Sequence, residues 1–191
     1  MAGMVLIVGL PGAGKTSLAR RLEEERKALR LTPDEWMDAL FHTSEFEGRR
    51  WVLESELFWG VAARALELEA NVILDYGCWS REERDLFRTR AQDLGASAEI
   101  IVLDLPFEVL WERIERRNAD LQAGTFAINR EELTEWSGRF ELPTADELEN
   151  WDRHLVMTKK TTSTTTKMIS MTVVSRSWDS LDGFCSCLSA E

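Results

Sequence analysis

Histidine and cysteine are scarce in this chain of 191 residues, which carries two histidines, His42 and His154, and three cysteines, Cys78, Cys185 and Cys187. Two scattered histidines argue against a histidine-based metal centre. Three cysteines form neither an even-numbered disulfide framework nor a paired metal pattern. The Cys185-x-Cys187 pair lacks partners for a redox or metal site and reads as two idle thiols. Such usage fits a reducing, cytoplasmic setting. No apolar stretch approaches the roughly 20 residues of a membrane-spanning helix, and no secretory signal is expected ahead of the first strand.

Positive charge is also in deficit, with 23 Lys and Arg against 34 Asp and Glu and a formal net charge of −11. From Thr158 onward there are four basic and three acidic residues, so residues 1–157 carry −12. A surface this acidic repels a polyanion at long range, because nucleic-acid affinity comes mostly from neutralised phosphates. Long nucleic acid is therefore not the expected partner, while a mononucleotide or a short end is compatible. Hydrophobic residues make up 44% of the chain, enough for one ordinary globular domain.

What the chain does have begins at Gly9. Gly9-Leu10-Pro11-Gly12-Ala13-Gly14-Lys15-Thr16 is a complete G-x-x-x-x-G-K-[ST] loop. It follows the apolar run Met4 to Val8, suited to a buried strand, and precedes a helical stretch from Thr16 to Leu29. Strand, glycine loop and helix in that order give the motif its phosphate-binding context. Glycines let backbone N–H groups curl round phosphate oxygens, and the first helical turn, Thr16 and Ser17 included, adds unpaired N–H groups and the positive end of its dipole. Lys15 is expected to reach the β- and γ-phosphates and Thr16 to ligate Mg²⁺.

The remaining pattern alternates strand and helix, as in a three-layer α/β/α domain. Strands are expected at Ala28–Leu31, Asn71–Asp75, Glu99–Leu105 and His154–Met157. Helices are expected at Trp36–Phe41, Arg49–Glu69, from Ser80 to Leu94, and at Phe107–Arg117 and Arg130–Phe140. Ser80 with Glu83, and Thr144 with Glu147, have capping-box spacing. Beyond Thr158 a run of threonine, serine and lysine cannot feed a core. Residues 158–191 are expected to be a mostly disordered tail, with the β-prone Met168–Val174 lacking an obvious partner.

Asp75 ends an apolar strand, where an open α/β sheet places its nucleotide site, and is expected to hold Mg²⁺ or its water. Asp34 follows the second strand. It suits either a carboxylate that takes the proton of an acceptor hydroxyl or an N-terminal helix residue that satisfies backbone N–H groups. Arg113 and Arg117, four apart, share a helix face ahead of a lid-like loop, Asn118–Asn129. They read as a phosphate clamp or as a solvated stripe paired with Glu112 and Glu115; Arg116 and Arg130 are further candidates. Trp36 and Trp79, just beyond the two aspartates, suggest a stacking wall for an acceptor. Trp51, Trp59, Trp111 and Trp136 read as helix-packing residues.

No N-K-x-D base-reading motif occurs, and Asp75-Tyr76-Gly77 is not a D-x-x-G switch, which argues against a GTPase. There is hardly room for the second helical domain of an oligomeric motor ATPase.

The stretches GLPGAGKT, LTPDEWM, VILDYGCWSREERD, LWERIERRNA and ELTEWSGRFELPTADE resemble the small P-loop kinases and AAA-type ATP-binding proteins of the zeta-toxin and chloramphenicol-phosphotransferase-like group. That group is related to shikimate, gluconate, polynucleotide 5′-hydroxyl and nucleoside monophosphate kinases. The resemblance covers about residues 3–157. It implies a five-stranded parallel sheet with helices on both faces, and ATP with Mg²⁺ as cofactors. It also implies Asp34 as base toward a small hydroxyl acceptor, and Arg113 and Arg117 as contacts to adenine and phosphates.

Overall fold

The computed structural model describes residues 2–45, 47–121 and 124–159 and the strand 169–172. Five parallel strands, β1 (Gly3–Gly9), β2 (Leu29–Leu31), β3 (Val72–Gly77), β4 (Ser97–Asp104) and β5 (Arg153–Lys159), lie in the order β2-β3-β1-β4-β5. The five-stranded parallel sheet read from the sequence is what forms. Strand β1 pairs β3 on one side and β4 on the other. The chain leaves β1 toward β2 in one direction and fills β4 and β5 in the other, so the crevice at the carboxyl end of β1 is a topological switch point.

Alternation along the strands makes two cores. Met4, Leu6 and Val8 of β1 face one way with Ile100 and Val102 of β4, and Val5 and Ile7 face the other with Ile101 and Leu103. The second face is covered by α1 (Lys15–Arg26), α6 (Phe107–Asn118) and α7 (Arg130–Arg139) through Leu22, Leu110, Ile114 and Leu133. The first is covered by α2 (Pro33–Phe41), α4 (Trp59–Glu67), α5 (Arg81–Asp93) and α8 (Ala145–Leu148), and by Leu53 and Phe58 from the segment between α4 and the short helix α3 (Arg49–Val52). Between α3 and α4 the helix widens into a π-helical segment, Leu53–Phe58. Two side chains compete there for helix carbonyls: the Ser55 hydroxyl donates to Trp51 O at 2.7 Å, and Arg90 Nη1 donates to Ser55 O at 2.8 Å.

Arg84 of α5 is wholly buried and donates to both Glu147 oxygens, at 2.6 and 2.9 Å, and to Cys78 O at 3.2 Å. Glu147 is therefore not the second half of a capping box. Thr144 accepts no cap hydrogen bond, and its hydroxyl donates to Asp146 instead. The Ser80–Glu83 box forms as its spacing implies, and a further box joins Asn129 to Glu132 at the start of α7.

The last parallel strand runs to Lys159, past its expected end at Met157. Ile169–Thr172 forms a sixth strand, β6, antiparallel to it, so the β-prone segment does have a partner. β5 ends the parallel set, and its outer row of backbone groups accepts this further strand. The remainder of the expected disordered tail, 160–168 and 173–191, lies outside the described residues. Among the described residues no helix is long and apolar enough to cross a membrane.

Candidate functional site

The glycine loop emerges from β1 at the switch point and ends in α1. Gly14 occupies the N-cap position with φ 96°, and the helix start has neither a side-chain cap nor an acidic residue in its first turn. α5 and α7 close their N-termini with capping boxes; α1 leaves its N–H groups open, as an anion site needs. Gly12, at φ 81°, lies so close to α6 that a Cβ would sit 2.9 Å from Leu110 O and 3.0 Å from Ile114 Cγ1. Only glycine lets the loop rest against that helix.

Lys15 Nζ donates to Leu10 O at 3.2 Å, curled over its own loop. Burial lowers its ammonium below the ordinary lysine value, against the opposing fields of Asp75 and Asp34. Because β3 lies directly beside β1, Asp75 reaches the loop, and Thr16 Oγ1 donates to its Oδ2 at 2.7 Å. Thr32 Oγ1 donates to the same oxygen at 3.2 Å. Oδ1 is buried with no hydrogen-bond partner. Burial pushes the Asp75 carboxyl up to about 6, while Lys15 and the Thr16 hydrogen bond hold it down.

Asp34 stands in the first turn of α2, its side chain 44% exposed, and its Oδ1 accepts from Arg50 Nη1 at 2.6 Å. Its charge is felt at Lys15, Asp75 and Arg117. Asp34 thus starts α2 as a helix residue would, but its side chain is bound by Arg50 rather than by a backbone N–H of the helix.

Arg113 and Arg117 both face the loop side. Arg113 Nη1 lies 3.4 Å from Gly12 O and from Ala13 O. Arg117 donates to Phe126 O at 3.1 Å and keeps a buried Nε without a partner. Burial draws its guanidinium below the usual arginine value, and Asp34 opposes this. Arg116 and Arg130 do not join them. Arg116 pairs with Glu112 on the surface, and Arg130 bonds Glu108 at 2.6 Å while lying over Phe107 and Trp111. Helical phase separates Arg116 from the inward face, and nearby aromatic rings hold Arg130 outside.

Trp36 and Trp79 have different ring partners, and Trp79 Nε1 lies beside Gly77, near Gly9 and Lys15. Trp36 is exposed and meets Phe58 edge-on, and Trp79 packs on Trp136. A cavity of about 340 Å³ is lined by Trp51 with Ser80, Glu82, Glu83 and Leu86. Trp51 also meets Phe87 of α5 edge-on, as a helix-packing residue does. Sequence reading also passed over Arg50 and Glu54. Their i, i+4 spacing was visible, but their closeness to Asp34 depends on how α3 folds back over α2.

A family model described as an AAA domain matches residues 4–143. No curated protein matches the chain. Among solved structures, Kti12 of Chaetomium thermophilum in complex with ADP-AlF3 is similar at 17% identity and TM-score 0.64, over 81% of this chain and 88% of that one. A sugar kinase from Janibacter sp. aligns at 20% identity and TM-score 0.54, over 83% of this chain and 86% of that one. A gluconokinase from Sinorhizobium meliloti 1021 aligns at 17% identity and TM-score 0.54, over 82% of each chain. These identities speak to fold, a kinase-like P-loop domain. The strand of Asp75 runs on to Gly77, two residues past its expected end. With nearly three quarters of its length matched and its glycine loop and strand order in place, the chain belongs to the AAA domain family.

Proposed function

We propose that this chain moves the γ-phosphate of ATP to a hydroxyl of a small molecule, as a phosphotransferase akin to the zeta-toxin and chloramphenicol-phosphotransferase-like group, acting in the cytoplasm through residues 1–157. The observation that carries the reading is Asp34: a half-open carboxylate whose charge acts on Lys15, Asp75 and Arg117 at once. A carboxylate there serves phosphoryl transfer to a hydroxyl, which has a proton to lose.

Gly9, Leu10, Pro11, Gly12, Ala13, Gly14, Lys15, Thr16 and Ser17 cradle the phosphates, with Arg113 against the loop. The hydroxyl of Thr16 and the orphaned Oδ1 of Asp75 are hard oxygen ligands, so the residues present fit Mg²⁺ and would hold it. When bound, that ion supplies charge neutralisation on the phosphate oxygens. Asp34 takes the acceptor's proton as the acceptor oxygen bonds to the γ-phosphorus and the bond to the β-phosphate oxygen breaks, leaving ADP. Lys15 and Arg117 offset the charge that gathers on the transferring group.

The test is ADP release with and without a panel of sugars, sugar acids, nucleosides and amino alcohols. Acceptor-stimulated release supports the phosphotransferase. A second reading, an ATPase or regulatory nucleotide-binding protein without a small-molecule acceptor, draws on the fold likeness to Kti12, solved with ADP-AlF3. Acceptor-independent release, or tight binding without turnover, would favour it.

A further inference from the structure

Arg50 is fixed from three directions. Its Nη1 lies 2.6 Å from Asp34 Oδ1 on α2 and donates to Ser44 O, at 3.2 Å, in the loop after α2. Its Nε lies 3.0 Å from Glu54 Oε1 in the π-helical segment, an ion pair without the alignment of a hydrogen bond, so that oxygen is held by charge alone. The guanidinium is largely covered, and burial works against its charge, but Asp34 and then Glu54 outweigh that and hold it above its ordinary value. Glu54 is buried too, with Arg50 as the cation beside it. An apolar side chain would fill that space without desolvating a carboxylate, so Glu54 contributes little stability and a fixed direction for its partner. Among the described residues, the second oxygen of Asp34 takes no hydrogen bond.

We propose that Arg50, held from behind by Glu54, is a positioning residue for Asp34: it occupies Oδ1 and leaves Oδ2 to receive the acceptor's proton. This role rests on the reading of Asp34 as the proton acceptor. Arg50 has no acceptor capacity and stays protonated, so it cannot take that proton itself. Its planar fork can meet Asp34 and Glu54 together, which a lysine ammonium does less well.

The test compares wild type, Asp34→Asn, Arg50→Met, Arg50→Lys and the Asp34→Asn/Arg50→Met double variant in the full chain. Transfer from ATP is measured with whichever panel compound most accelerates ADP release, beside melting temperature and Mg·ADP affinity as checks on the fold. Asp34→Asn is expected to lower kcat by roughly 10²–10⁴. Arg50→Met should lower kcat by roughly 10- to 100-fold with the acceptor KM little changed, as loss of orientation does, and Arg50→Lys should recover part of it. The double variant should be no slower than Asp34→Asn alone, because Arg50 then has nothing left to position.

Multiplying losses in the double variant, or a raised acceptor KM with kcat kept in Arg50→Met, would overturn the positioning role and leave Asp34 as base. Undiminished transfer in Asp34→Asn, or a panel without any active compound, would overturn the underlying reading and this role with it. A collapse of melting temperature in both Arg50 variants would overturn it in favour of a purely structural Arg50.

Discussion

The Thr16 hydroxyl donates to Oδ2 of Asp75 at 2.7 Å, while Oδ1 of the same carboxylate is buried without a hydrogen-bond partner. The glycine-loop strand and the Asp75 strand are immediate neighbours in the sheet, and this adjacency brings the two groups together. A buried carboxylate oxygen that no protein group bonds costs stability. A divalent ion bound there would satisfy it.

Asp75→Asn keeps the volume and removes the charge. The Mg²⁺ concentration for half-maximal turnover should rise by about tenfold or more, while metal-free ADP affinity changes less. Mg²⁺ titrations of ATP turnover, beside ADP binding without metal, check it, and an unchanged turnover curve would leave Asp75 without a metal role.

Lys15→Ala should abolish ATP turnover and leave the melting temperature within a few degrees of wild type. It removes the charge meant for the β- and γ-phosphates, and the lost hydrogen bond to Leu10 O is a local one. Turnover at the wild-type rate would refute the loop's assigned role.

Glu54 gives a pH signature. Burial pushes its carboxyl up to about 7 from 4.5; Arg50 opposes this, and Glu83 and Asp34 add to it. A folded-state value above the unfolded one means that the proton is held more tightly in the folded chain. The contribution is present below pH 4.5 and is lost as pH rises through about 7. The loss is on the order of 3 kcal/mol, about 1.4 kcal/mol for each unit of the rise. In Glu54→Gln the fall in melting temperature between pH 5 and pH 8 should shrink. An identical fall in both proteins would show that Glu54 ionises freely.

Arg84→Met should be among the most destabilising single changes. It leaves Glu147 charged and wholly buried, which costs about 3–5 kcal/mol, or roughly 10 °C in a domain of this size. Arg84→Met combined with Glu147→Leu should regain much of that loss. Thermal melts of both check it, and a double variant no better than the single one would contradict the pairing account.

Local signals were the readable ones. The glycine loop, the apolar strands and the Ser80–Glu83 box depend on neighbours in sequence, and all form. Asp75 could be read as lying toward the carboxyl end of a strand; that this strand neighbours β1 and runs on to Gly77 was not local information. Arg130 and the Thr144–Glu147 spacing misled because a long side chain is captured by whatever charge or ring the fold brings near: Glu108, Phe107 and Trp111 for Arg130, and Arg84 for Glu147. Arg50 and Glu54 form an ordinary helical pair in sequence. Their meaning appears only when α3 lies against α2. Edge pairing by β6 was equally hidden, since nothing local says which strand will be left open.

Deleting residues 160–191 removes β6, an edge strand paired along four residues of β5. Edge hydrogen bonds are worth about 1 kcal/mol each at most, against the entropy of ordering the segment. The melting temperature should move by less than about 4 °C, and Mg·ADP affinity should stay as it is. A large fall would mean that the C-terminal residues belong to the domain.

The most direct test of the central claim is Asp34→Asn, assayed for phosphate transfer to an acceptor and for ADP release without one. Asparagine keeps the shape and loses the proton acceptor, so transfer should drop by roughly 10²–10⁴, with ATP affinity nearly unchanged and acceptor-free ADP release reduced far less. Equal loss of both reactions would place Asp34 in the nucleotide or metal site. Loss of neither would return it to a residue at the start of α2 and remove the phosphotransferase reading's main support.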